Sequence, residues 1–352
     1  MPVSIRKLTP EYEESYMRFV MNKKESLMYY SLSFRKFLTE LLGDNSEYLI
    51  AVSDKGEVIG CMPVFYREDY QYGTVANSLP YYGGHGGPIA ENKETIKLLL
   101  EKYVDTIKEK RCVASTIIGS PLENYDQLYR DVVKPNYIDE RIELMTYFPY
   151  DIGLSLEDAL MSKYHYKERN SIRKAIKNNV VIKIDNSIEA MDFLCRVHTE
   201  NIEVVGGLPK KREAFELIQR VFKAGEDYDL FIAKKDNAKI AAVLVFYFNG
   251  TVEYYTPAIV QEYRSIQPLA LLIYTAMQKG MKMGLEKWNW GGTGLSQKSL
   301  YDFKSKWGTT ETRYYYYTKI WDHSIMDANQ DELMKAFSNY FVYPFGQVNK
   351  DE

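Results

Sequence analysis

Two stretches of the chain carry residue types at spacings that could do chemistry. In SLEDALMSKYHYKERNSIRKAIKNNVVIKI, residues 155–184, six Lys or Arg (163, 167, 169, 173, 174, 177) face one acid, Glu168, between Lys163 and Lys177. Arg169, Arg173 and Lys177 recur at i, i+4 and i+8, which stacks them on one helical face, while Ile172, Ala175 and Ile176 take the other and can pack on protein. Such a face is either solvated or a cradle for phosphate or pyrophosphate, which guanidinium groups hold bidentately. The second stretch, residues 288–309, reads WNWGGTGLSQKSLYDFKSKWGT. A core strand needs no Gly-Gly after it, and a surface loop rarely spends so many large aromatics. Trp288 and Trp290 alternate with Asn289, so in a strand the indoles share one face and the amide takes the other.

Composition removes other chemistries. The chain has 352 residues, a net charge of −3, 45% hydrophobic and 26% charged residues, which is ordinary for a globular protein and gives no global case for nucleic acid. Cys61, Cys112 and Cys195 form no CxxC pair and are odd in number, so no disulfide framework and a reducing cytoplasm are expected. His85, His165, His198 and His323 show no metal-ligand spacing, and no metal site is expected. Neither a GxSxG elbow nor a P-loop occurs. His85, between two glycine pairs, reads as exposed loop, or alternatively as a base or ligand contact in the groove between the halves; His198 reads as a helix-surface residue. MPVSIRKLTPEYEE has no apolar h-region, and the longest apolar run is Ile240 to Phe248, far short of the roughly 20 residues that span a bilayer. A cytoplasmic protein with at most peripheral membrane contact is the expectation.

The elements that must position these residues come from a hidden repeat. YLIAVSDKGEVIGCMPVFY (48–66) aligns without a gap on LFIAKKDNAKIAAVLVFYF (230–248), at an offset of 182. Each reads as a β-hairpin. Helical periodicity follows at 96–110 and at 268–283, then apolar runs at 113–118 and 285–290, each ending in glycine. Two helical segments precede each hairpin, 10–21 and 33–42 in one half, 188–203 and 210–224 in the other. Ser155 with Asp158 predicts a helix start, 299–307 a short helix or turn, RYYYYTK (313–319) a strand, and 330–341 a helix. The reading is an α/β fold with a mixed sheet in two tandem copies. The expected domains are 1–150, joined by the tail 323–352, and 151–322.

That element order is similar to acyltransferases of the GNAT class, in which two central strands splay to receive the acyl donor. KERNSIRKAIKNNVVI resembles the RN-x-IRKA-x-K-x-GV segment of the Fem family, the peptidoglycan bridge-forming aminoacyltransferases, and of their relatives, the FemAB-like and "acetyltransferase 6" proteins of surface-polysaccharide clusters. The match rests on Arg169, Asn170, Ile172, Arg173, Lys174, Ala175, Lys177 and Val180. WNWGG resembles the family's xDFGG strand end, LYDFKSKWGT its xxxFKxxFG segment, and NSLPYYGGHGGPI (77–89) the SLPFxxYGG stretch of the polysaccharide branch.

The resemblance implies a two-domain GNAT-like fold and transfer of an acyl or aminoacyl group to an amine of a cell-wall, peptidoglycan or surface-polysaccharide precursor. It places the splay between 253–257 and 285–290, with Trp290, Gly291, Gly292 and Thr293 by the donor. Lys304, the lysine of FK, would stabilise the tetrahedral oxyanion or hold a donor phosphate. Glu253 and Tyr255 are candidate bases. Arg169, Asn170, Arg173, Tyr82 and His85 would hold a phosphorylated or lipid-linked sugar or peptide acceptor. No cofactor is implied; the donor is aminoacyl-tRNA or acyl-CoA. QEYRSIQPLA (261–270) lacks the glycines of an acyl-CoA pyrophosphate loop, which weakens CoA, and the long arm of some tRNA-dependent relatives is absent, so both stay open. An acyl-CoA N-acetyltransferase acting on an amino sugar and a non-catalytic glycan- or partner-binding module are the alternatives.

Overall fold

A computed structural model of the chain describes residues 3–81, 85–150 and 153–345. The chain divides into two units, 1–142 with 312–352, and 143–311. The divisions therefore fall at 142/143 and 311/312, inside strands, rather than at 150/151 and 322/323.

The first unit contains strands β1 (Ser4–Lys7), β2 (Asn45–Val52), β3 (Val58–Asp69), β4 (Gly73–Asn77), β5 (Ile89–Ala90) and β6 (Cys112–Ile118). β7 (Tyr137–Tyr147) starts there and passes into the second unit. The second unit continues with β8 (Val181–Ile184), β9 (Tyr228–Lys235), β10 (Ala238–Phe248), β11 (Thr251–Ile259) and β12 (Lys287–Gly294), and β13 (Thr310–Ile320) returns the chain to the first. Strand order is β1-β2-β3-β4-β6-β13 in the first unit, with β5 on β3, and β7-β12-β11-β10-β9-β8 in the second.

The two hairpins lie where the repeat puts them, but their turns differ. Asp236 and Asn237 both have positive φ (48° and 66°), the geometry of a tight two-residue hairpin turn, whereas residues 53–57 form a longer loop. The helix Lys93–Glu109 starts because the Asn92 side chain accepts from the Thr95 N–H, and Ser187 does the same for Ile188–Val204. Ser155 caps Leu156–Lys163 and also donates to the Asp158 carboxylate at 2.8 Å. The last helix is shorter than its periodicity suggests, Gln330–Ala336, and is followed by Phe337, Val342 and Tyr343 buried against Val75, Ala114 and Ile320 of the first unit. The four-tyrosine run packs within that unit: Tyr317 stacks on Tyr129 with ring centroids 4.2 Å apart, and Tyr316 lies under the Arg141 guanidinium. Among the described residues no helix is long and apolar enough to cross a membrane.

Candidate active site

β11 and β12 run parallel and pair at Thr251/Lys287, Val252/Trp288 and Glu253/Asn289. Beyond Glu253 and Asn289 the strands continue, to Ile259 and to Gly294, without further pairing to each other. A wedge-shaped gap therefore opens at Glu253. Three features of the sequence hold it open. The register with β10 steps from Leu244/Thr256 to Val245/Tyr254, so Tyr255 is the extra residue of a β-bulge, a device that bends a strand and re-aims its side chains. Pro257 has no N–H to offer the open edge, the position where a sheet tolerates proline. Gly291 takes φ +69°, a turn that L side chains rarely adopt, and leads β12 away.

Side chains of the helix Ile188–Val204 occupy the open edge of β11. Asn201 accepts from the Ile259 N–H and donates to its carbonyl, both at 2.9 Å. His198 donates to the Pro257 carbonyl and accepts from the Lys210 N–H at 3.2 Å. Burial, with the nearby Lys210 ammonium, lowers the His198 pKa to about 4, so the ring is neutral near pH 7. The expected surface position of His198 is thus corrected: it is buried, because its ring completes a strand edge. Lys210 itself lies over the Tyr255 ring, 5.0 Å from the centroid, with its pKa lowered to about 8 by burial.

At the vertex, Glu253 is 2% exposed, and the Asn289 amide donates to its Oε1 at 3.2 Å. The same Asn289 accepts the Gly291 N–H at 3.1 Å, so one amide ties the acid to the glycine turn. Burial, reinforced by the Glu143 carboxylate and opposed by Asn289 and Lys287, raises the Glu253 pKa to about 8. Lys304, from the helix Lys298–Ser305, sends its ammonium to the Gly291 carbonyl (2.8 Å), the Gly292 carbonyl (3.1 Å) and Thr293 Oγ1 (2.9 Å). An ammonium has three donors, and all three are engaged. Its pKa is lowered to about 8 by desolvation, against support from Glu143.

The tryptophans serve the other face. Trp290 is buried: its ring fills an aromatic cluster with Trp288, Tyr254, Phe303 and Trp307, and its indole N–H donates to Thr146 Oγ1 at 3.0 Å. That cluster fastens the Lys304 helix to the sheet. The unusual run of aromatics and glycines builds a rigid floor under a turn clamped by one lysine.

Residues 162–305 match the family model described as an acetyltransferase (GNAT) domain. FemX is a similar solved structure, 15% identical, covering 95% of this chain and 99% of its own, with a TM-score of 0.71. The chain has the FemX-like tandem GNAT fold. A tandem GNAT protein from the clavulanic acid biosynthesis pathway is 8% identical over 90% of this chain and 98% of its own, with a TM-score of 0.53. L-PGS from Bacillus licheniformis is 13% identical over 94% and 96%, with a TM-score of 0.56. No curated protein matches the chain significantly. With an acetyltransferase domain across its second unit, the chain is an acyltransferase.

Of the remaining expected site residues on this FemX-like fold, those of the basic helix belong to the second unit and His85 to the first. The basic helix forms, Tyr166–Lys177, and packs on Pro268–Lys282 through buried Ile172 and Ala175. Ile176 is exposed instead of packed, since it falls off the narrow buried stripe. Arg169 turns back to the Tyr164 carbonyl at 2.9 Å, while Asn170 and Arg173 stand exposed and touch each other at 3.4 Å. The Arg169 guanidinium is therefore committed to a backbone oxygen, and Arg173 is the available one. His85 is neither exposed loop nor open to a ligand: it is buried in the first unit, edge-on to Tyr29 and to Tyr314 (centroids 5.5 and 4.9 Å). Tyr82 lies outside the described residues. Before the helix Pro268–Lys282 the chain makes a 3-10 turn, Gln261–Ile266, and Gln267 sits at φ +62°. This entry offers no glycine cradle, and Pro268 removes one more N–H.

Glu143 and Lys287 are vertex residues that no motif marks, and Asn289 carries only the expectation that its amide takes the face opposite the indoles. Each was visible as a polar residue inside a strand with apolar neighbours: Glu143 stands in RIELMTY, and Lys287 and Asn289 alternate with the tryptophans.

Proposed function

We propose that the chain is an N-acyltransferase or aminoacyltransferase that modifies an amino group on a cell-wall or surface-polysaccharide precursor, with the donor's acyl carbon at the β11/β12 vertex and Glu253 as general base. The observation that carries this reading is the coincidence of the splay point with a buried carboxyl whose pKa lies near working pH, where a base is most effective. An acceptor ammonium must give up a proton before its nitrogen attacks the acyl carbon. The Glu253 carboxylate takes that proton, and the second proton, shed by the attacking nitrogen as the amide forms, goes to the departing thiolate or ribose oxygen.

Lys304 supports the reading in a different way from a free oxyanion cation. By holding the carbonyls of Gly291 and Gly292 it fixes the orientation of the peptide N–H groups in the turn, which are donors of the kind that stabilise a developing oxyanion. Arg173 is the side chain of the basic helix that would meet an acceptor phosphate. The acceptor class rests on the resemblance of the sequence motifs, beside a likeness to FemX that is one of fold.

Turnover should follow a narrow bell centred near pH 8. Its acid limb reports deprotonation of Glu253 and its alkaline limb loss of the Lys304 charge, as macroscopic values of a coupled group. The test is transfer from acyl-CoA and from aminoacyl-tRNA to nucleotide- and lipid-linked amino-sugar precursors, by wild type and Glu253→Gln. Turnover by wild type and none by the variant supports the reading; full turnover by a folded Glu253→Gln protein overturns it.

A further inference from the structure

Strand β12 is flanked on both sides by strands that bring a buried carboxyl to it, Glu253 from β11 and Glu143 from β7. Two buried lysines complete the group, Lys287 in β12 itself and Lys304 from the following helix, and all four residues are at most 5% exposed. Four ionisable groups out of water in one place is a costly arrangement, and apolar residues of similar volume would serve folding at least as well. RIELMTY is otherwise a good buried strand, and Glu143 is the acid among its apolar neighbours.

Its electrostatic partners indicate the reason. The Glu143 carboxylate disfavours a second negative charge on Glu253 and favours the ammonium of Lys304. Asn289 and Lys287 are the other groups facing Glu253, and both act in the opposite sense, favouring its charged form. The Lys304 ammonium meets Thr293 and the two glycine carbonyls, none of which titrates.

We propose that Glu143 is a positioning residue of this centre, acting through Glu253 and Lys304 so that the carboxylate reaches for the acceptor's proton while the clamp on the glycine turn stays charged. The inference rests on the reading of Glu253 as base. The step balances: an N–H bond of the acceptor ammonium breaks, its electron pair stays on nitrogen, and an O–H bond forms on Glu253. Neutralising Glu253 removes its repulsion with Glu143, which favours transfer in that direction.

The experiment needs no substrate. The side-chain carboxyl carbons of 13C-glutamate-labelled protein and the Cε carbons of 13C-lysine-labelled protein are titrated by NMR in the full chain, with Glu253→Gln and Lys304→Arg supplying the assignments. In Glu143→Gln the Glu253 and Lys304 midpoints should both fall, by about one pH unit, the shift that loss of a neighbouring charge of this kind produces. Glu143→Asp should return both towards wild type. Should Glu143→Gln fail to fold, Glu143→Met, apolar and of similar volume, stands in its place, with the same two midpoints expected to fall. Unmoved midpoints in whichever protein folds overturn the proposal. That result leaves Glu253 as base if Glu253→Gln is still inactive in turnover, whereas an active Glu253→Gln with shifted midpoints removes the catalytic meaning and leaves the coupling.

Discussion

Each unit contains a parallel strand pair joined through a helix, β4 with β6 and β11 with β12, and the two pairs end differently. In the first unit β4 meets β6 at Thr74/Cys112, Val75/Ala114, Ala76/Ser115 and Asn77/Thr116. The contact then goes on past the end of β4: Ser78 N–H donates to the Thr116 carbonyl at 3.0 Å, Ser78 Oγ accepts the Ile118 N–H at 2.9 Å, and Gly86 N–H reaches the Ile118 carbonyl at 3.1 Å. Phe341, near the chain end, closes the seam by exchanging hydrogen bonds of 2.7 and 2.8 Å with the Asn77 side chain. In the second unit pairing stops at Glu253/Asn289, and a bulge, a proline and a left-handed glycine keep it stopped. A repeated fold therefore does not mean a repeated site. The first pair spends its polar groups on itself, whereas in the second the helix side chains Asn201 and His198 take the β11 edge and the two strands stay apart.

Four substitutions test that contrast, in descending order of expected effect. Glu253→Gln should lower turnover by about 10²–10⁴-fold, the usual worth of a positioned base, with unchanged circular dichroism. Lys304→Ala strips the ammonium from three buried acceptors, so it should cost both about 10²–10³-fold in turnover and a lower Tm, because unsatisfied buried acceptors carry a penalty of roughly 1–3 kcal/mol each before relaxation. A fully active and equally stable Lys304→Ala protein would show that the turn needs no clamp. Asn77→Ala opens the seam of the first unit and should reduce stability by about 1–3 kcal/mol in urea unfolding while leaving kcat per folded molecule unaltered; a fall in kcat would mean the closed pair contributes to the chemistry. Arg173→Ala, at an exposed position, should leave Tm within error and raise KM for a phosphorylated acceptor by about 3–10-fold, the scale of one exposed charged contact. An unchanged KM would return the basic helix to its solvated reading.

The fold was legible because its signals are periodic and doubled. Hairpins, helices and the strand ending in Gly-Gly are each carried by several residues, so one atypical position does not hide them. The splay itself was legible only in part. Pro257 in TVEYYTPAIV marks an open strand edge by its missing N–H, but a lone proline does not say how far the gap extends. Side-chain roles were the least legible. Trp290 precedes a glycine pair and His85 sits between two, a context that suggests exposure, yet each ring is claimed by neighbours distant in sequence: Thr146 and Trp307 for one, Tyr29 and Tyr314 for the other. Lys304 carries the family pattern, but what its three donors face depends on a turn more than ten residues earlier. Glu143 has no motif at all and becomes interesting only when its strand is seen beside β12.

The way the chain is shared between the units has a consequence for synthesis. The second unit is one continuous stretch, 143–311, whereas the first needs 312–352 to supply its last strand and the segment that seals Asn77. On the ribosome the N-terminal 142 residues emerge first but cannot finish their sheet, and the unit made second is the first that can be completed. The N-terminal part must wait, with the edge of β6 unpaired, for a strand nearly two hundred residues downstream in the chain (Ile118 to Tyr316). Such a long-range closure is slow and leaves a hydrophobic edge open in the interval. Emergence of β13 and of the segment around Phe341, rather than growth of the first half, should then set the moment at which the protein becomes resistant to proteolysis.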